Sequence, residues 1–190
     1  CRRVLGKGWR IMLGFSQNGR RQAAGGGPKQ DIYVWDGLVS AGAWTSNGTG
    51  DTTDIYKNTD EDITTPDTAI YMYLTAANDP SSYRGTTGII GAGSPTISGA
   101  ETGDVTVKIH CKDNDTSNRV KASLYIGGVL QGVALQINSD TVATTYTFAD
   151  AVNWVGFTPA QLLTMEIEIR GEANGSPGNY WLYTMNVIVD

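Results

Sequence analysis

Two short runs fix the kind of fold this chain can adopt. In Val105-Thr106-Val107-Lys108-Ile109-His110 and in Met165-Glu166-Ile167-Glu168-Ile169-Arg170, every second residue is apolar. A period of two suits a strand with one buried face, because successive side chains leave a pleated backbone on opposite sides. Ala122, Leu124 and Ile126 repeat the pattern against Lys121, Ser123 and Tyr125. Further strand-like runs cover 31–36, 70–74, 129–137, 141–148 and 180–189, the second of them apolar on both faces and so expected inside a sandwich. Gly127-Gly128, Asp113-Asn114-Asp115 and the stretch 174–178 supply turn residues between them. Thr158-Pro159-Ala160-Gln161 reads as one helical turn, with Thr158 as cap and Pro159 as first helical residue. Residues 78–103, rich in Gly, Pro, Ser and Thr, read as a long connection. These spacings predict an all-β fold of about eight strands, an antiparallel β-sandwich of jelly-roll type.

Charge divides the chain in two. Residues 1–30 hold seven of the fourteen basic residues and no acid, whereas residues 31–190 hold seven bases against all nineteen acids. The body is therefore near −12 and the first thirty residues +7. Glycine-rich patches such as Ala23-Ala24-Gly25-Gly26-Gly27-Pro28 give 1–30 no core of its own. The expectation is an extended basic N-terminal arm over 1–30 and a β-sandwich domain over 31–190. Within the arm, Trp9, Ile11, Leu13 and Phe15 alternate with Arg10, Met12 and Gly14. Such a hook suits either a first strand of the same domain or strand addition to another subunit. Fully extended, thirty residues reach at most about 100 Å. The apolar run at 9–15 is too short to cross a bilayer, and Arg2 and Arg3 after Cys1 do not favour lipidation, so no membrane association is expected.

No catalytic constellation stands out, and no enzyme activity, cofactor or metal is expected. The one histidine, His110, falls on the polar side of its strand, and Cys111 falls on the opposite, buried side. The acidic loop 51–67, with Asp51, Asp54, Asp60, Glu61, Asp62 and Asp67, could supply oxygen ligands to calcium, but a solvated loop explains it equally well. Glu166 and Glu168 share one strand face, whereas glycosidase carboxylates usually flank a cleft from separate elements. Trp35, Trp44, Tyr71, Tyr73, Tyr83, Trp154 and Trp181 could build a sugar-stacking platform, although a sandwich core claims most large aromatics. Seven positive charges could bind phosphates, but the acidic body would repel nucleic acid and the apolar hook suits protein, so no nucleic-acid partner is expected.

In order along the chain, Trp44-Thr45, the segment Ile55-Tyr56-Lys57-Asn58-Thr59-Asp60-Glu61, the strand 105–109, Leu124-Tyr125-Ile126-Gly127-Gly128, the Thr-rich run 141–148 and Thr158-Pro159-Ala160-Gln161 form a pattern. This pattern, over roughly 44–172, resembles small β-sandwich virion proteins of tailed bacteriophages. The chain departs from it in the stretch 78–103 and in the basic arm. The resemblance implies a viral structural protein, a capsid decoration or cement protein on the outer capsid surface of the virion. Its implied partner is the major capsid protein, and its implied assembly a homo-trimer. The expected contact residues are Arg2, Arg3, Trp9, Arg10, Ile11, Leu13, Phe15, Arg20 and Arg21, with binding only to the assembled shell stabilising that shell by mass action. The alternative is a glycan- or receptor-binding β-sandwich module associated with a tail or fibre.

Overall fold

The structure, a computed structural model, describes residues 31–47, 59, 63, 66–75, 81–89, 102–173 and 178–190. The arm 1–30 lies outside the described residues, as does most of the acidic loop. Among the described residues, eleven strands and one helical turn follow in order: β1 (Asp31–Ser40), β2 (Thr45–Ser46), β3 (Met72–Thr75), β4 (Ser81–Ile89), β5 (Val105–Asp113), β6 (Arg119–Ile126), β7 (Val129–Leu130), β8 (Leu135–Asn138), β9 (Thr144–Ala149), α1 (Pro159–Leu162), β10 (Met165–Glu172) and β11 (Asn179–Val189). Every pairing is antiparallel.

The main strands form two layers. One layer runs β1-β11-β5-β9 and the other β4-β10-β6-β8. Strand β1 belongs to both, pairing β11 through Asp31, Ile32 and Tyr33 and then β4 through its remaining length, with bulges at Trp35/Gly37 and Leu38/Ser40. Such bulges bend a strand and let it turn the corner between layers. On the far side, β8 and β9 adjoin. Numbered by occurrence, these eight strands follow one another around the sandwich as 1-8-3-6-5-4-7-2, the jelly-roll order that the sequence predicted in type. The short strands β2 and β3 extend the first layer beside the N-terminal half of β11.

Alternation accounts for the packing. Burial along β5 and β10 switches at every residue, so Val107, Ile109, Ile167 and Ile169 all point into one apolar core shared by the two layers. Trp35 closes that core from β1: its ring lies 4.6 Å from that of Tyr83, and its Nε1 donates to the Ile167 carbonyl at 3.1 Å. Trp154 seals one end, its Nε1 donating to the Gln131 carbonyl at 3.1 Å. The predicted helical turn is α1, where Thr158 and Gln161 cap one another reciprocally and Leu162 enters the core.

Three expectations need correction. The stretch 78–103 is not all connection, since β4 occupies 81–89 at the heart of the second layer. The run 70–74 is not apolar-buried on both faces: Met72 and Leu74 are buried, while Tyr71 and Tyr73 stand half-buried on the outer side. The single run 129–137 divides into β7 and β8, because Gly132 takes a φ of +67° beside Asn153 and breaks the strand.

Candidate functional site

The pairing register sets side chains in rows across the outer face of the first layer. One row reads Thr45 on β2, Tyr73 on β3, Trp181 on β11 and Lys112 on β5. The Tyr73 and Trp181 rings lie 5.8 Å apart at 41°. The Lys112 ammonium reaches over the Trp181 ring, 4.9 Å from its centre, a distance at which the negative face of an indole attracts a cation. A second group lies beside this row: Tyr71 meets Tyr183 edge-on at 5.6 Å, and the His110 imidazole lies 5.7 Å from Tyr183. Tyr183 shares that face with Trp181 two residues before it, and the bulge that follows, between Leu182 and Thr184, brings Thr184 opposite His110.

Thr45, Ser46, Asn47, Tyr71, Tyr73 and Trp181 line an open depression of about 360 Å³. Its floor is aromatic and one wall is hydroxyl and amide. Local bonds hold that wall in place: Thr45 Oγ1 donates to the Tyr73 carbonyl at 3.3 Å, Asn47 Nδ2 to the Ala69 carbonyl at 2.6 Å, and the Asn47 N–H to the Tyr71 carbonyl at 3.3 Å. Beyond it, Asp67 Oδ1 accepts the Ala69 N–H at 2.7 Å and fixes the turn entering β3. A depression whose walls are already bonded is preorganised for a ligand.

The residues singled out from sequence fall in several places. Arg2, Arg3, Trp9, Arg10, Ile11, Leu13, Phe15, Arg20 and Arg21 lie outside the described residues, as do Asp51, Asp54, Asp60, Glu61 and Asp62. Of the seven aromatics weighed for a platform, Trp35, Trp44, Tyr83 and Trp154 are buried in the core, and Tyr71, Tyr73 and Trp181 form the depression. His110 stands on the outer face, half-buried rather than freely solvated, with Nδ1 3.0 Å from Thr145 Oγ1; burial pulls its pKa below the ordinary value. Cys111 points the other way into the core, where burial and then the Asp113 carboxylate push its thiol pKa up. That environment makes it an inert packing group.

Glu166 and Glu168 lie on the outer face of the second layer and do not frame a cleft. Glu166 is held by Arg84, Nε to Oε2 at 2.6 Å, and Glu168 lies 3.5 Å from the Tyr125 hydroxyl, with the Arg84 guanidinium over the Tyr125 ring. The turn at 113–115 is a turn, but its first residue is buried. Asp113 Oδ1 accepts from Asn118 Nδ2 and the Asp115 N–H, and Oδ2 from Ser139 Oγ, tying β5, β6 and the chain after β8 together. Sequence reasoning missed Lys112, Tyr183, Thr45, Ser46 and Asn47 as site residues. On β5, Lys112 continues the outward positions of Lys108 and His110, but only the register brings it beside Trp181.

Among the described residues, no cluster of three or more His, Cys, Asp or Glu side chains could hold a metal, and no helix is long and apolar enough to cross a membrane. No protein-family model and no curated protein matches the chain. Among solved structures it is similar to the CBM36-1 domain of a multidomain xylanase from the hindgut metagenome of Trinervitermes trinervoides, at 13% identity over 85% of this chain and 97% of that one, with a TM-score of 0.39. A family 30 carbohydrate-binding module of the cellulosomal cellulase Cel9D-Cel44B of Clostridium thermocellum matches at 11% identity over 82% and 96%, with a TM-score of 0.39. TmCBM61 in complex with β-1,4-galactotriose matches at 9% identity over 64% and 71%, with a TM-score of 0.37. At these scores the likeness adds nothing to the topology already read from the strand pairing.

Proposed function

We propose that the protein is a glycan-binding β-sandwich module whose sugar contact is the depression on β2, β3 and β11. One observation carries the reading: Tyr71, Tyr73 and Trp181 leave ring surface at an open depression, while Trp35, Trp44, Tyr83 and Trp154 are spent on the core. A pyranose ring has an apolar C–H face that stacks on such rings and a hydroxylated edge that needs hydrogen-bonding neighbours. Thr45, Ser46 and Asn47 supply the second requirement beside the first. In the phage setting expected from the sequence, such a module would serve a tail or fibre appendage and meet host-surface polysaccharide. Titration of the full chain with a panel of neutral and acidic oligosaccharides tests the reading. Trp181→Ala should weaken binding at least about ten-fold while the protein stays folded. Saturable binding that Trp181→Ala and Tyr73→Ala both leave unchanged would place the site elsewhere.

A second reading, attachment to a viral shell through residues 1–30, is favoured by the opposite end of the sandwich. There β1 begins at Asp31 beside Val189, and backbone bonds run on from Asp190 and Gly103 to Phe157 and from Val105 to Trp154. Around that end Val129, Val133, Val152 and Leu163 are exposed, an apolar surface of the sort that meets a protein partner. Co-sedimentation with purified capsid shells, with and without residues 1–30, decides it: shell binding lost on deletion supports a decoration protein, and no binding by either form removes the idea.

A further inference from the structure

Among the described residues, Lys112 is a charge of the candidate site with no carboxylate paired to it. On the outer face of the second layer two cations are held by carboxylates: Arg84 pairs with Glu166 and Lys121 with Glu172. On the first layer, Lys108, His110 and Lys112 occupy successive outward positions of β5. Their cross-strand neighbours at these levels are Thr147 and Asn186, then Thr145 and Thr184, then Trp181. None is a carboxylate. Among the described residues no acid pairs with Lys112, whose ammonium instead rests over the Trp181 ring at the edge of the depression.

We infer that the depression selects a glycan carrying isolated acidic units, a uronate within an otherwise neutral chain, with Lys112 as the specificity-determining cation. The inference rests on the glycan-binding reading above. A sugar ring stacked on Tyr73 and Trp181 directs its ring substituents across the row toward Lys112. A carboxylate there gains a charge-assisted hydrogen bond that a primary alcohol lacks. Density of charge is limited from the other side. Residues 31–190 carry a net charge near −12, which repels a polyanion along its length. Beyond roughly 8 Å, physiological salt screens that repulsion, so one carboxylate in contact with Lys112 keeps its attraction. Sparse acidic substitution satisfies both conditions, whereas dense sulfation meets the first and fails the second.

The test uses matched polymers: β-1,4-glucan, galactan and mannan oligosaccharides, each unmodified and with a minor fraction of its primary alcohols oxidised to carboxylates. For at least one backbone the full-length protein should bind the oxidised form about ten-fold more tightly. Lys112→Gln should bring the two forms to equal affinity, while Lys112→Arg should keep the preference. Far-UV circular dichroism and melting temperature establish that each variant is folded, and Trp181→Ala should lose both forms together. Equal or weaker binding of the oxidised form overturns the inference and leaves the glycan site standing. A preference that survives Lys112→Gln overturns it too, because the selecting charge then lies elsewhere in the chain. No binding of any backbone, in either form, removes the glycan reading and this inference with it.

Discussion

Trp181 and Trp35 show how one residue type divides between ligand and fold. Trp35 is buried with its indole N–H bonded to the Ile167 carbonyl, so its loss opens a cavity and orphans an acceptor; Trp181 lies over the sheet with ring surface to spare. Composition could not separate them. Position could in part, because Tyr71 and Tyr73 are two apart on one strand and must share a face, and Met72 between them needs the other. Asp113 was legible only as a turn residue, since the burial that makes it costly comes from Asn118 and Ser139 closing over it. Asp113→Ala leaves those buried donors unpaired and should cost about 2 kcal/mol, on the order of 5 °C in melting temperature, with Asp113→Asn losing less. His110 gives a pH signature. Its pKa in the folded state is depressed by burial, so the unfolded chain takes up the proton first as pH falls below the ordinary histidine value. Stability is therefore full above that value and declines below it until the folded form also protonates. Between pH 7.5 and 5.5 wild type should lose more melting temperature than His110→Gln, as thermal melts in paired buffers will measure.

Strand β4 is the element the sequence concealed. Ser81-Ser82-Tyr83-Arg84-Gly85-Thr86-Thr87-Gly88 has neither β-branched apolar residues nor alternation, and its glycines read as loop. Those glycines are what the packing demands. A Cβ at Gly85 would stand 2.5 Å from the Gly37 carbonyl oxygen and 2.8 Å from Trp35 Cδ1, so the strand can lie beside β1 only with no side chain there. The hydrophobicity missing from β4 is supplied by Trp35 from the neighbouring strand, and a signal carried by a neighbour is invisible to a local reading. Gly85→Ala should therefore destabilise by about 2–4 kcal/mol despite adding one methyl group, because backbone as well as ring must move. Chemical denaturation midpoints will measure it. The strands that were legible, β5, β6 and β10, each bury one face by their own residues.

At the scale of the molecule, the jelly-roll order follows from β1 and β11, the first and last strands among the described residues, lying side by side at the seam between the two layers. The chain enters β1 at Asp31, opposite Val189, whereas the aromatic depression sits at the other end of β11, around Trp181. Eight residues of extended strand separate the two, about 26 Å. A pull between residue 31 and a ligand stacked on Trp181 would therefore run along β11 from end to end. The hydrogen bonds joining it to β1 and β5 lie across that direction and would be strained together, in shear, instead of parting one after another like a zip. A module built this way resists mechanical force best along the line joining its point of entry to its point of contact, and single-molecule stretching along that axis should need a larger force than peeling β2 and β3 away from the edge.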